Sequence, residues 1–117
     1  MFHQFLQTGQ PVDAVICNND SMAVGVAQEV QKAKIDTNTL PILGVDATTD
    51  GLDLISQGVM ACTIFQPAKG QGEAAIKAAE KLASGQSVAS LDGAEHNGLF
   101  VWVPFEPVTA ENLSQYQ

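Results

Sequence analysis

Residues 13–25 read DAVICNNDSMAVG, and they join the end of a predicted strand to the start of a predicted helix. A β-branched apolar pair, typical of a strand, gives way at once to Asn18, Asn19 and Asp20. Beyond these residues apolar side chains recur at helical spacing, which predicts a helix over residues 21–33 with Asp20 as its N-cap. The stretch therefore indicates a strand that ends on polar groups at the edge of a sheet.

The same alternation of strand and helix continues along the chain. Apolar runs predict strands, and helical spacing of apolar residues predicts helices between them. The predicted strands lie at residues 13–17, 41–45, 59–65 and 99–103, and the predicted helices at residues 2–8, 21–33, 49–57, 68–84 and within 109–116. Residues 86–98 read as loop. Strands that alternate with helices pair in parallel, so the predicted fold class is α/β, a parallel sheet of βαβ units.

The composition limits the partners of the chain. Its 117 residues form at most one small domain or a piece of a larger one, and 45% of them are apolar. Thirteen acidic residues face five lysines and no arginine, for a net charge of −8. This excess of negative charge argues against nucleic acid or an anionic membrane surface as a binding partner. Without arginine, bidentate hydrogen bonding to a carboxylate or phosphate ligand is also not expected. A neutral or cationic small ligand is favoured.

No cofactor, metal or membrane segment is expected. No apolar run approaches the length of a spanning helix, and the first residues, MFHQFLQTGQ, lack the regions of a signal peptide. Cys17 and Cys62 are predicted to be buried thiols rather than a metal pair, because no second Cys or His lies at ligand spacing.

Polar side chains follow three successive predicted strands: Asn19, Asp46 and Gln66. Ligands of open parallel sheets bind beyond the carboxyl ends of the strands, so we expect these three side chains to converge on one crevice. Carboxylates and amides are planar groups with two hydrogen-bonding atoms, which suits two adjacent hydroxyls of a polyol. The pattern predicts a site for a hydroxyl-rich ligand.

Helix capping is the alternative explanation for such residues. It is the preferred explanation for Asp20, which stands at the start of a predicted helix. For Asp46 capping is less favoured, because Thr48 or Thr49 is equally placed to cap the next helix.

The sequence gives little support for calcium binding, serine catalysis or phosphate acceptance. Residues 46–57, DATTDGLDLISQ, imitate a calcium loop, but Gln57 stands where a bidentate Glu is required. Catalysis by Ser21 would need a nearby histidine, and His3 and His96 are predicted to be surface residues. A phospho-acceptor receiver domain would need an acidic pair after the first strand, which is absent here. No enzymatic activity is expected.

Three stretches, DAVICNNDSMAVGVAQEVQKA, LPILGVDATTDGLDLISQGVMACTIFQPAKGQG and VWVPFEPVTAENL, together resemble one known family. They are similar to the C-terminal part of periplasmic sugar-binding proteins of ABC transporters, the galactose, ribose and inositol binders. The resemblance implies a three-layer, type I periplasmic-binding-protein-like fold, present as an incomplete fragment. It also implies a periplasmic location and a membrane permease as the partner of the full-length protein.

By this resemblance Asn19, Asp46 and Gln66 match the residues that bind sugar hydroxyls, and the ligand is a neutral monosaccharide or inositol-like polyol. Residues 1–66 would be part of the C-terminal lobe. Residues 67–98 would cross a hinge into the N-terminal lobe, and residues 99–117 would return as a hinge strand and the end of the C-terminal lobe.

Residues 67–70 and 98–106 would then be two hinge strands. Trp102 and Phe105 are expected to pack in the hinge or core rather than to stack on a sugar. The apolar stripe of the helix at 68–84 needs cover, which predicts a homo-oligomer formed through this helix or the strand at 99–105.

Two alternatives stay open. The effector domain of a lactose-repressor-type regulator shares the fold and has similar strand ends. A non-ligand interaction module is the third possibility, and it would be favoured if no polyol bound.

Overall fold

A computed structural model describes all residues from Met1 to Gln117. The helices are α1 (Phe2–Leu6), α2 (Asp20–Lys32), α3 (Thr49–Ser56) and α4 (Ala68–Ala83). The strands are β1 (Val15–Ile16), β2 (Ile42–Leu43), β3 (Thr63–Phe65), β4 (Ala94–Glu95), β5 (Phe100–Val101) and β6 (Glu106–Val108). Single 3₁₀ turns occupy Val88–Ser90, His96–Gly98 and Leu113–Gln115. Four of the five predicted helices are therefore present, and the one expected within residues 109–116 is only a 3₁₀ turn at Leu113–Gln115. Most of the predicted strands are shorter than expected.

The chain folds as two compact units. The first comprises Met1–Phe65 and Glu106–Gln117, and the second comprises Gln66–Phe105. The core and most of the predicted site residues belong to the first unit, which is described first.

The sheet of the first unit starts with two parallel strands. β1 pairs with β2 in the register Val15 to Ile42, and β2 continues toward β3 through a parallel bridge from Leu43 to Cys62. The backbone bonds from Gly44 N–H to Cys62 O, 3.0 Å, and from Ile64 N–H to Gly44 O, 3.2 Å, extend this parallel ladder. These pairings confirm the predicted parallel order of the first three strands.

β6 adds an edge that the hydropathy pattern does not predict. It runs antiparallel to β3, with Thr63 opposite Val108. The strand contains Pro107, a residue that is tolerated at a sheet edge because it has no N–H to donate. Val108 is nevertheless fully buried, so this short strand closes one side of the core.

Helices α2 and α3 pack their apolar faces on this sheet. The spacing of Ala23, Val26, Ala27 and Val30 places one stripe of α2 in the core, as predicted. α3 contributes Leu52 and Ile55 in the same way. Periodicity was sufficient to predict these faces because both helices are covered on one side only.

The second unit differs from the predicted fourth parallel strand. Residues 100–101 form β5, which pairs antiparallel with β4 instead of joining the sheet of the first unit. Gly93 and Asn97 adopt positive φ angles of 76° and 58°, and these turns fold the chain back on itself. The bond from Trp102 N–H to Gly93 O, 2.9 Å, extends this hairpin.

One further expectation about this region is wrong, and another is corrected in part. The segment at 67–70 is not a hinge strand, because Pro67 is the N-cap of α4 and the helix begins at the next residue. Trp102 and Phe105 do not pack in a core, since 60% and 51% of their surfaces are exposed; their packing in the hinge stays a prediction. The indole N–H of Trp102 donates to Glu95 Oε2 at 3.1 Å, which satisfies its donor at the surface.

Candidate functional site

The carboxyl end of β1 leads directly into Asn19, which is the N-cap of α2. Its backbone is extended, with φ −156° and ψ 168°, and its Oδ1 accepts a hydrogen bond from Met22 N–H at 2.9 Å. The prediction that Asp20 caps this helix is therefore wrong. The helix begins one residue earlier than predicted, with Asp20 as its first residue, and this leaves the Asp20 side chain for another role.

Asp20 is a fully buried carboxylate at the centre of the first unit. Its Oδ1 accepts from the Thr63 hydroxyl at 2.6 Å, and its Oδ2 accepts from Thr48 N–H at 2.8 Å and from the Thr48 hydroxyl at 3.1 Å. The ion pairs of the chain involve other residues, so the buried carboxylate is stabilised by these hydrogen bonds and by its place at the N-terminus of α2. Asp20 thus joins the start of α2 to β3 and to the loop that follows β2.

That loop contains the predicted ligand Asp46 in an unusual backbone conformation. Asp46 and Ala47 have φ angles of 110° and 50°, a left-handed region that residues with a Cβ rarely adopt. Three successive N–H groups are held: Asp46 by Ile64 O at 2.8 Å, Ala47 by the Thr63 hydroxyl at 3.2 Å, and Thr48 by Asp20. The turn is therefore fixed by β3 and α2 together.

The Asp46 carboxylate is exposed at the carboxyl end of the parallel strands. Thr48 is the N-cap of α3, and its Oγ1 accepts from Gly51 N–H at 3.2 Å. This confirms the expectation that a threonine caps α3 in place of Asp46. Asp46 itself follows β2 at the carboxyl end of the parallel strands, the edge at which ligands of open parallel sheets bind.

Two glycines make room for the buried carboxylate. A Cβ on Gly44 would overlap Asp20 Oδ1, and a Cβ on Gly51 would overlap Asp20 Oδ2. Gly44 follows β2, and Gly51 lies in the first turn of α3. Both glycines leave open the space that the Asp20 side chain occupies.

Gln66, the third predicted ligand, is the first residue of the second unit. It is partly buried and lines a groove of about 380 Å³ together with Gln71, Trp102, Phe105 and the alanines of α4. The structure thus links the loops that carry Asn19 and Asp46 through Asp20, and it places Gln66 in a different unit.

No group of three or more His, Cys, Asp or Glu side chains is placed to hold a metal. Residues of the calcium-like stretch belong instead to α3. Cys17 is buried and Cys62 is partly buried, and both are free thiols whose pKa values are raised by burial. No helix is both long and apolar enough to cross a membrane.

The comparison with known families matches residues 2–87 to the model of the periplasmic binding protein domain. The chain belongs to the periplasmic binding protein domain family. The match covers all of the parallel strand ends described above, including the loops of Asn19 and Asp46.

Relatives and solved structures of this family align with nearly the whole chain. A putative rhizopine-binding protein of Rhizobium meliloti is 38% identical over 113 residues, which is 97% of the chain and 34% of the relative. The D-galactose/methyl-galactoside binding periplasmic protein of Haemophilus influenzae is 33% identical over 105 residues, which is 90% of the chain and 31% of the relative.

A solved structure shares the fold. It is an ABC transporter solute binding protein from Bacillus halodurans with bound myo-inositol, 32% identical, with a TM-score of 0.73 over 97% of the chain and 36% of that protein. The chain thus spans about a third of the length of the curated periplasmic binding proteins that it matches, 34% and 31%.

Proposed function

We propose that this chain is part of the solute-binding component of an ABC importer, and that the ligand is a neutral sugar or a cyclitol. The names of the two relatives specify a rhizopine and a galactoside, and the solved structure holds myo-inositol. That structure is a transporter protein, which favours a transporter over a regulator. The net charge of −8 without arginine fits a neutral polyol. The role is binding rather than catalysis.

The placement of Asp46 carries this proposal. Asp46 is an exposed residue at the carboxyl end of parallel strands, on a turn whose three successive backbone N–H groups are held by Ile64 O, the Thr63 hydroxyl and Asp20. A carboxylate there accepts hydrogen bonds from two sugar hydroxyls. Asn19 and Gln66 are proposed as further ligands, each with an amide that both donates and accepts.

The remaining parts of the proposal follow the family. The complete protein would work in the periplasm and deliver its ligand to a membrane permease. Residues 67–98 would belong to the opposing lobe, and closure of the two lobes on the ligand would exclude water from the site.

The test of the proposal is the variant Asp46→Ala. It should be made in the longest natural reading frame that encodes this chain, and binding of myo-inositol, D-galactose and D-ribose should be measured by calorimetry. We expect the variant to lose about 2–4 kcal/mol of binding free energy, because it removes charge-assisted hydrogen bonds from a closed site.

Asp50→Ala is the matched control, since Asp50 is an exposed carboxylate four residues further along the chain. It should bind like the unsubstituted protein. Full affinity in Asp46→Ala would contradict the assignment of the site.

A further inference from the structure

We propose that Asp20 is a positioning residue for Asp46: with Thr63 it forms a buried brace that fixes the left-handed turn at Asp46–Ala47 and thereby the direction of the Asp46 carboxylate. This inference rests on the proposed function of Asp46 as a ligand. Asp20 itself is fully buried and cannot touch a solute.

The turn would relax without the brace. Asp46 and Ala47 hold φ angles of 110° and 50°, which residues with a Cβ adopt only when their surroundings enforce them. One of the three N–H groups of the turn is held by backbone alone, that of Asp46 on Ile64 O. The other two depend on side chains, Ala47 N–H on the Thr63 hydroxyl and Thr48 N–H on Asp20 Oδ2.

Thr63 links the two halves of the brace. Its hydroxyl donates to Asp20 Oδ1 at 2.6 Å and accepts from Ala47 N–H at 3.2 Å. A hydroxyl has one donor, so the short bond to Asp20 orients the oxygen and leaves its lone pairs for the turn. The carboxylate therefore acts on Ala47 through Thr63 and on Thr48 directly.

The surroundings of Asp20 are shaped for this carboxylate. Gly44 and Gly51 approach its two oxygens so closely that any Cβ would overlap them. Capping of α2 does not account for the residue, because Asn19 already provides the cap. Neither packing nor capping explains a buried carboxylate with three donors, whereas positioning of the turn does.

Thr63→Val and Thr63→Ser separate positioning from packing. Asp20→Ala leaves buried donors without an acceptor and endangers folding, so Thr63 is the better target. Valine keeps the shape and removes the hydroxyl, whereas serine keeps the hydroxyl and removes a methyl group. If Thr63 serves only for packing, Thr63→Ser should weaken the turn and ligand binding more than Thr63→Val does. If Thr63 braces the turn, Thr63→Val should weaken them more.

The first measurement is amide hydrogen exchange by NMR on the 117-residue chain, without ligand. We expect the amide of Ala47 to exchange about tenfold faster in Thr63→Val than in Thr63→Ser, because valine removes the hydroxyl that accepts its hydrogen bond. The amide of Thr48 should exchange faster to a smaller extent, because its acceptor Asp20 loses the hydrogen bond from the Thr63 hydroxyl. The Asp46 amide, which donates to a backbone carbonyl, serves as the internal control and should change little. Equal exchange in the two variants would overturn the proposal.

The second measurement is the affinity of the longest natural reading frame for myo-inositol and D-galactose. We expect Thr63→Val to bind about tenfold more weakly than Thr63→Ser. Faster exchange with unchanged affinity would show that the brace does not position a ligand residue, and it would overturn the proposal. If the unsubstituted protein binds neither probe, the proposed function fails, while the exchange experiment still decides whether the brace fixes the turn.

Discussion

The side-chain amide of Asn19 caps α2 through its oxygen, and the proposed function gives its nitrogen a second, ligand-binding role. Its Oδ1 accepts from Met22 N–H, and its Nδ2 is the group that would donate to a ligand under the proposed function. A substitution to alanine removes both roles at once and cannot tell stability from binding. Aspartate separates them, because a carboxylate caps a helix well but has no N–H to donate.

We therefore expect Asn19→Ala to lower the free energy of unfolding by about 1 kcal/mol, and Asn19→Asp to leave it nearly unchanged. Both variants should bind polyols more weakly than the unsubstituted protein. Urea unfolding followed by circular dichroism, together with calorimetry, measures the two effects. Equal stability of the two variants would show that the cap is not needed.

The two free thiols report on the packing of the first unit. Burial raises the pKa of Cys17 and of Cys62, and only 7% of Cys17 is exposed. A raised pKa lowers the thiolate fraction at any given pH, and the thiolate is the form that reacts.

We expect iodoacetamide to label Cys17 more slowly than Cys62, and both more slowly than the same thiols in urea. The rate profile of the folded chain should lie at higher pH than the profile of the unfolded chain. Mass spectrometry of timed samples measures both rates. Labelling of the two thiols at the unfolded rate would show that the core is open.

The sequence predicted the positions of some site residues but not the contacts between them. Asn19 and Asp46 could be predicted as strand-end residues because the pattern of neighbouring residues marks where strands stop. The brace could not be predicted, since Thr48 and Thr63 lie 28 and 43 residues from Asp20 in the chain. The glycines at 44 and 51 were the one available signal, and they become informative only once the helices are packed.

At the scale of the element, α2 and α4 show how differently two amphipathic helices are used. α2 buries a full stripe in the core. α4 buries none of its residues, and the only buried hydrophobic residue of the second unit is Val88. Local stability depends on such buried contacts, so the two helices should open with different free energies.

Amide hydrogen exchange should reveal this difference. We expect the central amides of α4 to exchange at least about tenfold faster than those of α2, since few apolar contacts oppose the opening of α4. Both are α-helices of at least 13 residues, so α2 serves as the control. Similar protection in both helices would indicate that α4 is covered in solution.

The strands were harder to predict than the helices. A hydropathy pattern marks an apolar run but not its partner, and it placed residues 99–103 in the parallel sheet. The positive φ angles at Gly93 and Asn97 instead turn this run into a hairpin. β6 escaped prediction because Glu106 and Pro107 do not read as a strand.

At the scale of the whole molecule, the second unit exposes a large apolar surface. More than half of the surface of Ile76, Leu82, Leu99, Trp102 and Phe105 is exposed. Where such side chains form one contiguous patch, they mark an interaction surface. The predicted homo-oligomer through α4 or residues 99–105 stays a proposal that this exposure supports.

We expect light scattering to detect oligomers of the chain that grow with concentration, and Ile76→Glu to shift the population toward monomer, because a charge on the exposed stripe opposes its burial. Lys77→Glu is the matched control, since Lys77 neighbours Ile76 on α4 and is also exposed. A monomer at every concentration would refute the oligomer.

The close fit of Gly44 and Gly51 around Asp20 also restricts which substitutions can accumulate during evolution. A mutation that gives either glycine a side chain is tolerated only after the carboxylate has shrunk or left. A mutation that removes the carboxylate first leaves a polar hole lined by hydroxyls. Each single substitution at these three positions is therefore disfavoured. We expect Asp20, Gly44 and Gly51 to stay unchanged together in related sequences, while the surface residues around them vary.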